Sequence, residues 1–175
     1  MIKLLQKFIN KIQQIKKRLF SYPLSEIQPQ IADVYWQTKL GQQIGFLSAF
    51  RLERAKLVSK FLEPNSSVVD LGTGDGAILK YLVENNHLSA IAVDSSVSMS
   101  ERLRGLSFTV HNYDLNNAAQ VELLPEADYY LALEIIEHLA LPEQLLEVIK
   151  KKAKKGIVIS IPNTGYFIHR FRMLF

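Results

Sequence analysis

The residues with the clearest chemistry lie in a glycine-rich segment, Asp70–Gly76, which reads DLGTGDG. It follows the apolar Val68–Val69 and precedes the apolar Ala77–Val83, a pattern that predicts a turn from a buried strand into a helix. Glycine lets the backbone approach a ligand closely, and the amino end of the helix presents free N–H groups to it. The segment is therefore typical of a loop that binds a nucleotide cofactor.

The spacing of the glycines discriminates between cofactors. Dinucleotide-binding loops read G-x-G-x-x-G, whereas this chain has G-x-G-x-G, with Asp70 at the end of the strand and Asp75 between the glycines. We expect these carboxylates to disfavour a diphosphate and to tolerate the sulfonium and ammonium of S-adenosylmethionine. The segment resembles the first motif of class I S-adenosylmethionine-dependent methyltransferases. The resemblance implies that Asp70, Gly72, Thr73 and Gly74 bind this cofactor.

Two further acidic residues follow later predicted strands. Asp94 ends the apolar strand Ala90–Val93, and Asp114 follows Phe108–His111 after two residues. A carboxylate at the end of the second strand can accept hydrogen bonds from both ribose hydroxyls, although a nicotinamide dinucleotide predicts the same contact. The resemblance implies that Asp114 accepts a hydrogen bond from the adenine amino group.

The same resemblance extends the predicted cofactor contacts to Ser95, beside the second-strand carboxylate, and to Leu115, beside the adenine ring. Local roles are the alternatives for the two acids. Asp94 could cap a helix together with Ser95 and Ser96, and Asp114 could belong to a turn rich in asparagine. The glycine loop and the two acids in this order and spacing are more specific than any one of them.

A fourth strand is predicted over Ala127–Leu133, and the loop after it reads EIIEHL. This loop is similar to the E-x-x-E-H-L stretch of small-molecule methyltransferases. The resemblance implies that Leu133 and Glu134 border the cofactor and that His138 faces the acceptor. Glu134 and His138 are the predicted catalytic residues, with the histidine as a general base near neutral pH; the alternative is a histidine that satisfies backbone groups at a helix start. Without a second ligand cluster, these residues and Glu137 do not predict a metal site.

The remaining elements complete an α/β pattern. A helix is predicted over Pro142–Lys152, with a lysine-rich end that extends to Lys155, and a fifth strand over Ile157–Ile161. The fold class is therefore a Rossmann-like parallel sheet of five strands with helices on both faces, preceded by N-terminal helices. Class I methyltransferases generally add two more strands. We expect the chain to be truncated at its C-terminus, the alternative being a partner that covers the sheet edge.

Three segments are predicted along the chain: a basic amphipathic helix over 1–20, a proline-containing linker over 21–30 and the methyltransferase domain over 31–175. The first segment has six basic residues and no acidic one, with apolar residues at steps of three and four. It could pack on the domain or on a second copy, or lie on an anionic membrane surface. Nucleic acid is disfavoured as a partner because aromatic residues that would stack on bases are few there.

Residues 31–62 are predicted to be helical and precede the first strand. In many class I methyltransferases the corresponding segment helps to close the active site. Tyr35, Trp36, Arg51 and Arg54 are therefore candidate lid or substrate contacts, with a structural role as the alternative for each.

Composition bounds the remaining possibilities. The 175 residues are 48% hydrophobic, which is enough for one globular domain with its own core. The absence of cysteine excludes disulfides, thiolate zinc sites and cysteine nucleophiles. No apolar run is long enough for a membrane-spanning helix or typical of a signal peptide. A cytoplasmic location is expected, with peripheral membrane contact through residues 1–20 as a hypothesis.

The C-terminal stretch from Ile159 to Tyr166 is similar to that of MetW-type methyltransferases and of related enzymes in glycan and lipid pathways. The resemblance covers roughly residues 67–175, but the long N-terminal extension departs from the compact MetW pattern, so no role in methionine synthesis is carried over. The predicted function is methyl transfer from S-adenosylmethionine to a small-molecule or glycan- or lipid-linked acceptor. The alternatives are a catalytically inactive binding protein with this fold and an NAD-dependent oxidoreductase.

Overall fold

A computed structural model of the chain describes Asp33, Val34, Trp36 and residues 44–162. Five strands form one sheet with the order β3-β2-β1-β4-β5, and every neighbouring pair is parallel. The predicted Rossmann-like fold class is confirmed. The strands are β1 (Ser67–Leu71), β2 (Ser89–Val93), β3 (Thr109–His111), β4 (Ala127–Leu133) and β5 (Ala153–Ser160).

Five α-helices connect or precede these strands in the described part of the chain, and a short 3-10 helix, Ile136–His138, follows β4. The glycine loop leads from β1 into a helix, as its sequence predicts. The α-helices are α1 (Ala49–Ser59), α2 (Ala77–Asn86), α3 (Val97–Gly105), α4 (Ala118–Glu122) and α5 (Pro142–Lys152). None of the helices among the described residues is long and apolar enough to cross a membrane.

The sheet buries a separate hydrophobic core on each face because successive side chains of a strand point to opposite sides. On one face, Tyr130 of β4 packs in a cluster with residues of α4 and α5, including Leu145. On the other, Leu131 packs in a cluster with residues of α1, α2 and α3, including Leu82. The helices thus cover both faces, which is what a buried parallel sheet requires.

The order of the strands determines where a ligand can bind. The chain runs from β1 outward to β2 and β3, and then crosses back so that β4 pairs with the other side of β1. Strand order therefore reverses between β1 and β4. In open parallel sheets the ligand crevice lies beyond the carboxyl ends of the strands at such a point.

Two predicted element boundaries were wrong. Residues 31–62 do not form one helix, because Gly45 has a φ of +82° and lies in a turn, and α1 begins only after Ser48, whose hydroxyl accepts a hydrogen bond from the Arg51 amide. The fifth strand was predicted to begin at Ile157, but β5 begins at Ala153, so Lys155, which was assigned to the helix end, lies in the strand and pairs with Glu63 at 2.6 Å. The predictions for residues 1–20, for the linker 21–30 and for a C-terminal truncation lie outside the described residues.

Candidate cofactor-binding site

A cavity of about 1080 Å³ lies at the carboxyl ends of the strands. The loops after β1, β2, β3 and β4 line it, together with α1 and the segment before it. The fold brings every predicted site residue to this cavity, although these residues span nearly seventy positions of sequence. They are Asp70, Gly72, Thr73, Gly74, Asp94, Ser95, Asp114, Leu115, Leu133, Glu134 and His138.

The glycine loop has a backbone that other residues would strain. Gly72 and Gly74 have φ values of +67° and +61°. A Cβ on Gly72 would lie 2.8 Å from Cδ1 of Ile135, and one on Gly74 would lie 2.8 Å from Cζ2 of Trp36. The amides of Gly72 and Thr73 both donate to the carbonyl of Val93, at 2.8 and 3.1 Å, so the loop is fixed against the end of β2.

Asp94 links the glycine loop to the start of α3. Its Oδ2 accepts from the Gly74 amide at 2.7 Å, and its Oδ1 accepts from the Ser96 amide at 2.9 Å. The N-cap of α3 is Ser96 and not Asp94, since the Ser96 hydroxyl accepts from the Met99 amide at 3.1 Å, but the contact of Asp94 with the Ser96 amide also supports the start of this helix, in part as the capping alternative predicts. Each carboxylate oxygen can accept a second hydrogen bond, which leaves capacity for a ligand hydroxyl. Burial raises the pKa of Asp94 although the two amides oppose this effect.

Asp70 is buried beneath the loop, with 5% of its surface exposed. Burial raises the pKa of its carboxyl to about 7, and the nearby charge of Asp94 adds to that increase. Two acids in a poorly solvated place repel each other in their ionised forms. A positive charge beside them would relieve this repulsion. The part of the cavity lined by Asp70 and Asp94, which we call its floor, therefore favours a cationic ligand.

Asp75 has a different role from the predicted one. It was expected to present a free negative charge, but its carboxylate is held by both guanidinium nitrogens of Arg51, with Nη1 at 2.9 Å from Oδ2, and accepts from the Gly45 amide at 2.9 Å. Burial alone would raise its pKa, yet these hydrogen bonds hold the pKa below its usual range. Because Arg51 neutralises Asp75, the charge of this residue carries no argument against a diphosphate.

Glu134 is engaged by a second arginine of α1. Its carboxylate accepts from the Arg54 guanidinium, which is mostly buried. The backbone of Glu134 has a φ of +56°, and its amide donates to the Ser160 carbonyl at 2.9 Å, which fixes the turn after β4. The ion pair places this carboxylate as a partner of α1, and its predicted catalytic role stays a prediction.

Asp114 and His138 lie toward the outside of the cavity. One oxygen of Asp114 accepts from the Asn116 amide at 2.9 Å, as the turn alternative predicts, and the other makes no hydrogen bond to any residue that the structure describes. His138 ends the 3-10 helix and is exposed, and its imidazole makes no hydrogen bond within the described ranges. Both side chains therefore have polar atoms available to a ligand.

Four described residues before α1 line the cavity, namely Trp36, Ile44, Phe46 and Ser48. Asp33 accepts hydrogen bonds from the Ser96 hydroxyl at 2.5 Å and from the Ser98 amide at 3.2 Å, beside Asp94. The hydrogen bond from Ser96 is the main reason why the pKa of Asp33 is lowered. Asp33 thus contacts the start of α3, and Trp36 lies against Gly74 of the glycine loop.

Comparison with known proteins assigns the chain to a family. The family model described as "Methionine biosynthesis protein MetW" matches residues 53–175, which is more than half of the chain. The chain belongs to the MetW family. The resemblance seen in the sequence is thereby confirmed. A search of curated proteins gave no match.

Solved structures show the same fold for this MetW-family chain. An S-adenosylmethionine-dependent methyltransferase from Archaeoglobus fulgidus is 23% identical, with a TM-score of 0.58 over 75% of this chain and 59% of that one. Coclaurine N-methyltransferase, bound to N-methylheliamine and S-adenosylhomocysteine, is 21% identical, with a TM-score of 0.57 over 89% and 50%. Mycolic acid cyclopropane synthase, complexed with S-adenosylhomocysteine, is 15% identical, with a TM-score of 0.55 over 62% and 41%. The chain thus spans between about two fifths and three fifths of the length of these proteins.

Sequence reasoning on this MetW-family chain named Trp36, Arg51 and Arg54 as candidate lid or substrate contacts, with a structural role as the alternative. All three line the cavity, and the ion pairs of the two arginines match the structural alternative. Tyr35 lies outside the described residues. The role of Ile135 against the glycine loop was missed, because an isoleucine after a buried strand gives no signal beyond its hydrophobicity. Asp33 was missed as well, since its partners lie more than sixty residues away. No group of three or more metal-ligating side chains is found in the described part of the chain.

Proposed function

We propose that this chain binds S-adenosylmethionine in the cavity and transfers its methyl group to a small-molecule or glycan- or lipid-linked acceptor. The observation that carries the proposal is the pair of buried acids, Asp70 and Asp94, beneath a glycine loop. A cationic ligand is favoured there, and the sulfonium and ammonium of this cofactor supply positive charge. Membership of the MetW family and the methyltransferase fold of the solved relatives support the same conclusion.

The residues of the cavity fit this cofactor. Gly72 and Gly74 hold the loop in its positive-φ conformation against Ile135 and Trp36, where an added Cβ would lie 2.8 Å from each of these side chains. Asp94 would accept from the ribose hydroxyls with the lone pairs that the loop amides leave. Asp114 would accept from the adenine amino group through its second oxygen, and Asp70 would face the positive charge.

Methyl transfer places modest demands on side chains. The bound cofactor supplies a methyl group on a good leaving group. The chain has to align the acceptor with that methyl and exclude water. Trp36, which lies against Gly74 of the glycine loop, would serve the second task.

We expect the acceptor to bind beside His138. Its imidazole is exposed and belongs to the lining of the cavity, so it could take the proton of an acceptor hydroxyl near neutral pH. A neutral amine acceptor would need placement alone. The ion pair between Arg54 and Glu134 forms the wall on the same side.

Calorimetric titration with S-adenosylhomocysteine, with NAD as a parallel control, tests the cofactor assignment. Micromolar binding of the first ligand alone is expected. Binding of NAD without S-adenosylhomocysteine would overturn the proposal in favour of an oxidoreductase.

A methyl-release assay over hydroxyl and amine acceptors then tests catalysis, with His138→Gln as the variant. Loss of turnover on a hydroxyl acceptor with unchanged cofactor affinity is the expected result. Cofactor binding without turnover on any acceptor would favour the inactive binding protein instead.

A further inference from the structure

The outer side of α1 is apolar and exposed. Phe50 and Leu57 lie two turns apart on this side of the helix and are 70% and 56% exposed, and Phe61, in the turn directly after it, is 60% exposed. The inner side buries Ala55 and Val58 in the core. Exposed large apolar groups are ordinary one by one, but a row of three marks an interaction surface. We refer to Phe50, Leu57 and Phe61 as the α1 face.

Basic residues accompany this apolar row. Lys56 and Lys60 are exposed next to it, and the charge of Lys56 is shared with Glu53 at 2.8 Å. Residues 1–20, which precede the domain in the chain, contain six basic residues and no acidic one. The same twenty residues have apolar positions at steps of three and four, as in an interfacial helix.

We propose that the α1 face is a docking surface for an anionic lipid bilayer. Apolar burial and attraction of lysines to anionic headgroups act together at such a surface, and stable attachment takes two signals rather than one. Here the α1 face is one signal and the basic segment 1–20 is the other.

Docking through this face would turn the cavity toward the bilayer. The same helix supplies Arg51 and Arg54 to the cavity wall, and Phe46, just before it, both lines the cavity and is 56% exposed. An acceptor anchored in the membrane could then reach the cavity without leaving the bilayer. The docking surface stands independently of methyl transfer, whereas this preference for a lipid-linked acceptor rests on the proposed function.

Vesicle co-sedimentation of the full chain tests the proposal, using phosphatidylcholine vesicles with and without phosphatidylserine. Binding is expected only with phosphatidylserine and should weaken as salt is raised. The variant Leu57→Gln/Phe61→Gln should bind about tenfold more weakly, since it removes two apolar anchors. Phe50 is left in place because Arg54 lies over its ring at 4.9 Å. The matched control is Leu123→Gln, which alters a 65% exposed leucine that follows α4, on the other face of the sheet.

Each result decides the proposal. It is supported if the double variant loses binding while Leu123→Gln and the wild type bind equally. Equal binding by the double variant and the wild type, or no binding by the wild type, would overturn it. So would a dimer in ultracentrifugation that the double variant dissociates, because the α1 face would then join two copies. Titration with S-adenosylhomocysteine in the absence of vesicles, on the same samples, separates failure of docking from failure of the cofactor assignment.

Discussion

Replacing the buried acid beneath the glycine loop should change how stability depends on pH. Asp70→Asn keeps the shape of the side chain and removes its charge. In the wild type, burial raises the pKa of Asp70 from 3.8 to about 7. The folded protein therefore holds this proton more tightly than the unfolded chain does. The stability that Asp70 contributes is complete below pH 3.8 and is lost as the pH rises through 7.

The size of the effect follows from the two pKa values. Ionising Asp70 in the folded protein costs about 4 kcal/mol more than ionising it in the unfolded chain. The asparagine variant does not incur this cost. Its free energy of unfolding, relative to that of the wild type, should therefore increase by up to about 4 kcal/mol between pH 4 and pH 8 and then level off.

Urea unfolding of both proteins across this pH range measures the difference. Asp128→Asn is the matched control, because hydrogen bonds from Ser67 lower the pKa of that half-buried carboxyl, so both its folded and unfolded forms stay ionised above about pH 5. Its effect should be constant over the range in which that of Asp70→Asn grows. A constant difference for Asp70→Asn as well would refute the idea that the floor of the cavity holds a proton near neutral pH.

Three further substitutions test the loop and its supports. Gly72→Ala should abolish binding of S-adenosylhomocysteine in calorimetry, because Gly72 has a positive φ and its added Cβ would lie 2.8 Å from Ile135. Gly105→Ala should bind normally, since its added Cβ meets nothing within 4 Å. Equal affinities of the two variants would contradict the placement of the ligand. Asp94→Ala should weaken binding of S-adenosylhomocysteine and reduce the free energy of unfolding, each by about 1–3 kcal/mol, since the Asp94 carboxylate accepts from two amides. Weaker binding with unchanged stability would argue against a structural role of Asp94. Arg51→Gln should destabilise the protein at neutral pH, and urea unfolding should show the loss shrinking as the pH falls below 3.8 through the lowered pKa of Asp75. A loss independent of pH would exclude this pairing as its cause.

Local sequence was sufficient for the features that depend on neighbouring residues. The glycine loop was recognisable because apolar residues on both sides indicate a strand and a helix, and β4 and α5 have the predicted bounds. The boundary of α1 was not recognisable from hydrophobic periodicity. It depends on the turn at Gly45 and the cap at Ser48, which interrupt a segment that otherwise looks helical.

Pairings between distant residues could not be predicted. Arg51 and Asp75 are 24 positions apart in the sequence, and Arg54 and Glu134 are 80 apart. No local sequence pattern identifies the partner of either arginine. These ion pairs changed the interpretation of the site, since a carboxylate that had counted as free negative charge is neutralised.

By itself, the sequence determined the fold class, the family resemblance and the strand ends from which the candidate cofactor residues project. These follow from short-range patterns, because the carboxyl ends of parallel strands meet at one edge of a sheet whatever else the chain does. Only the tertiary structure decided which charges in the cavity are neutralised, which acids share a poorly solvated place, and which side of α1 is exposed. Burial and long-range contacts set these properties, and both exist only after the chain has folded.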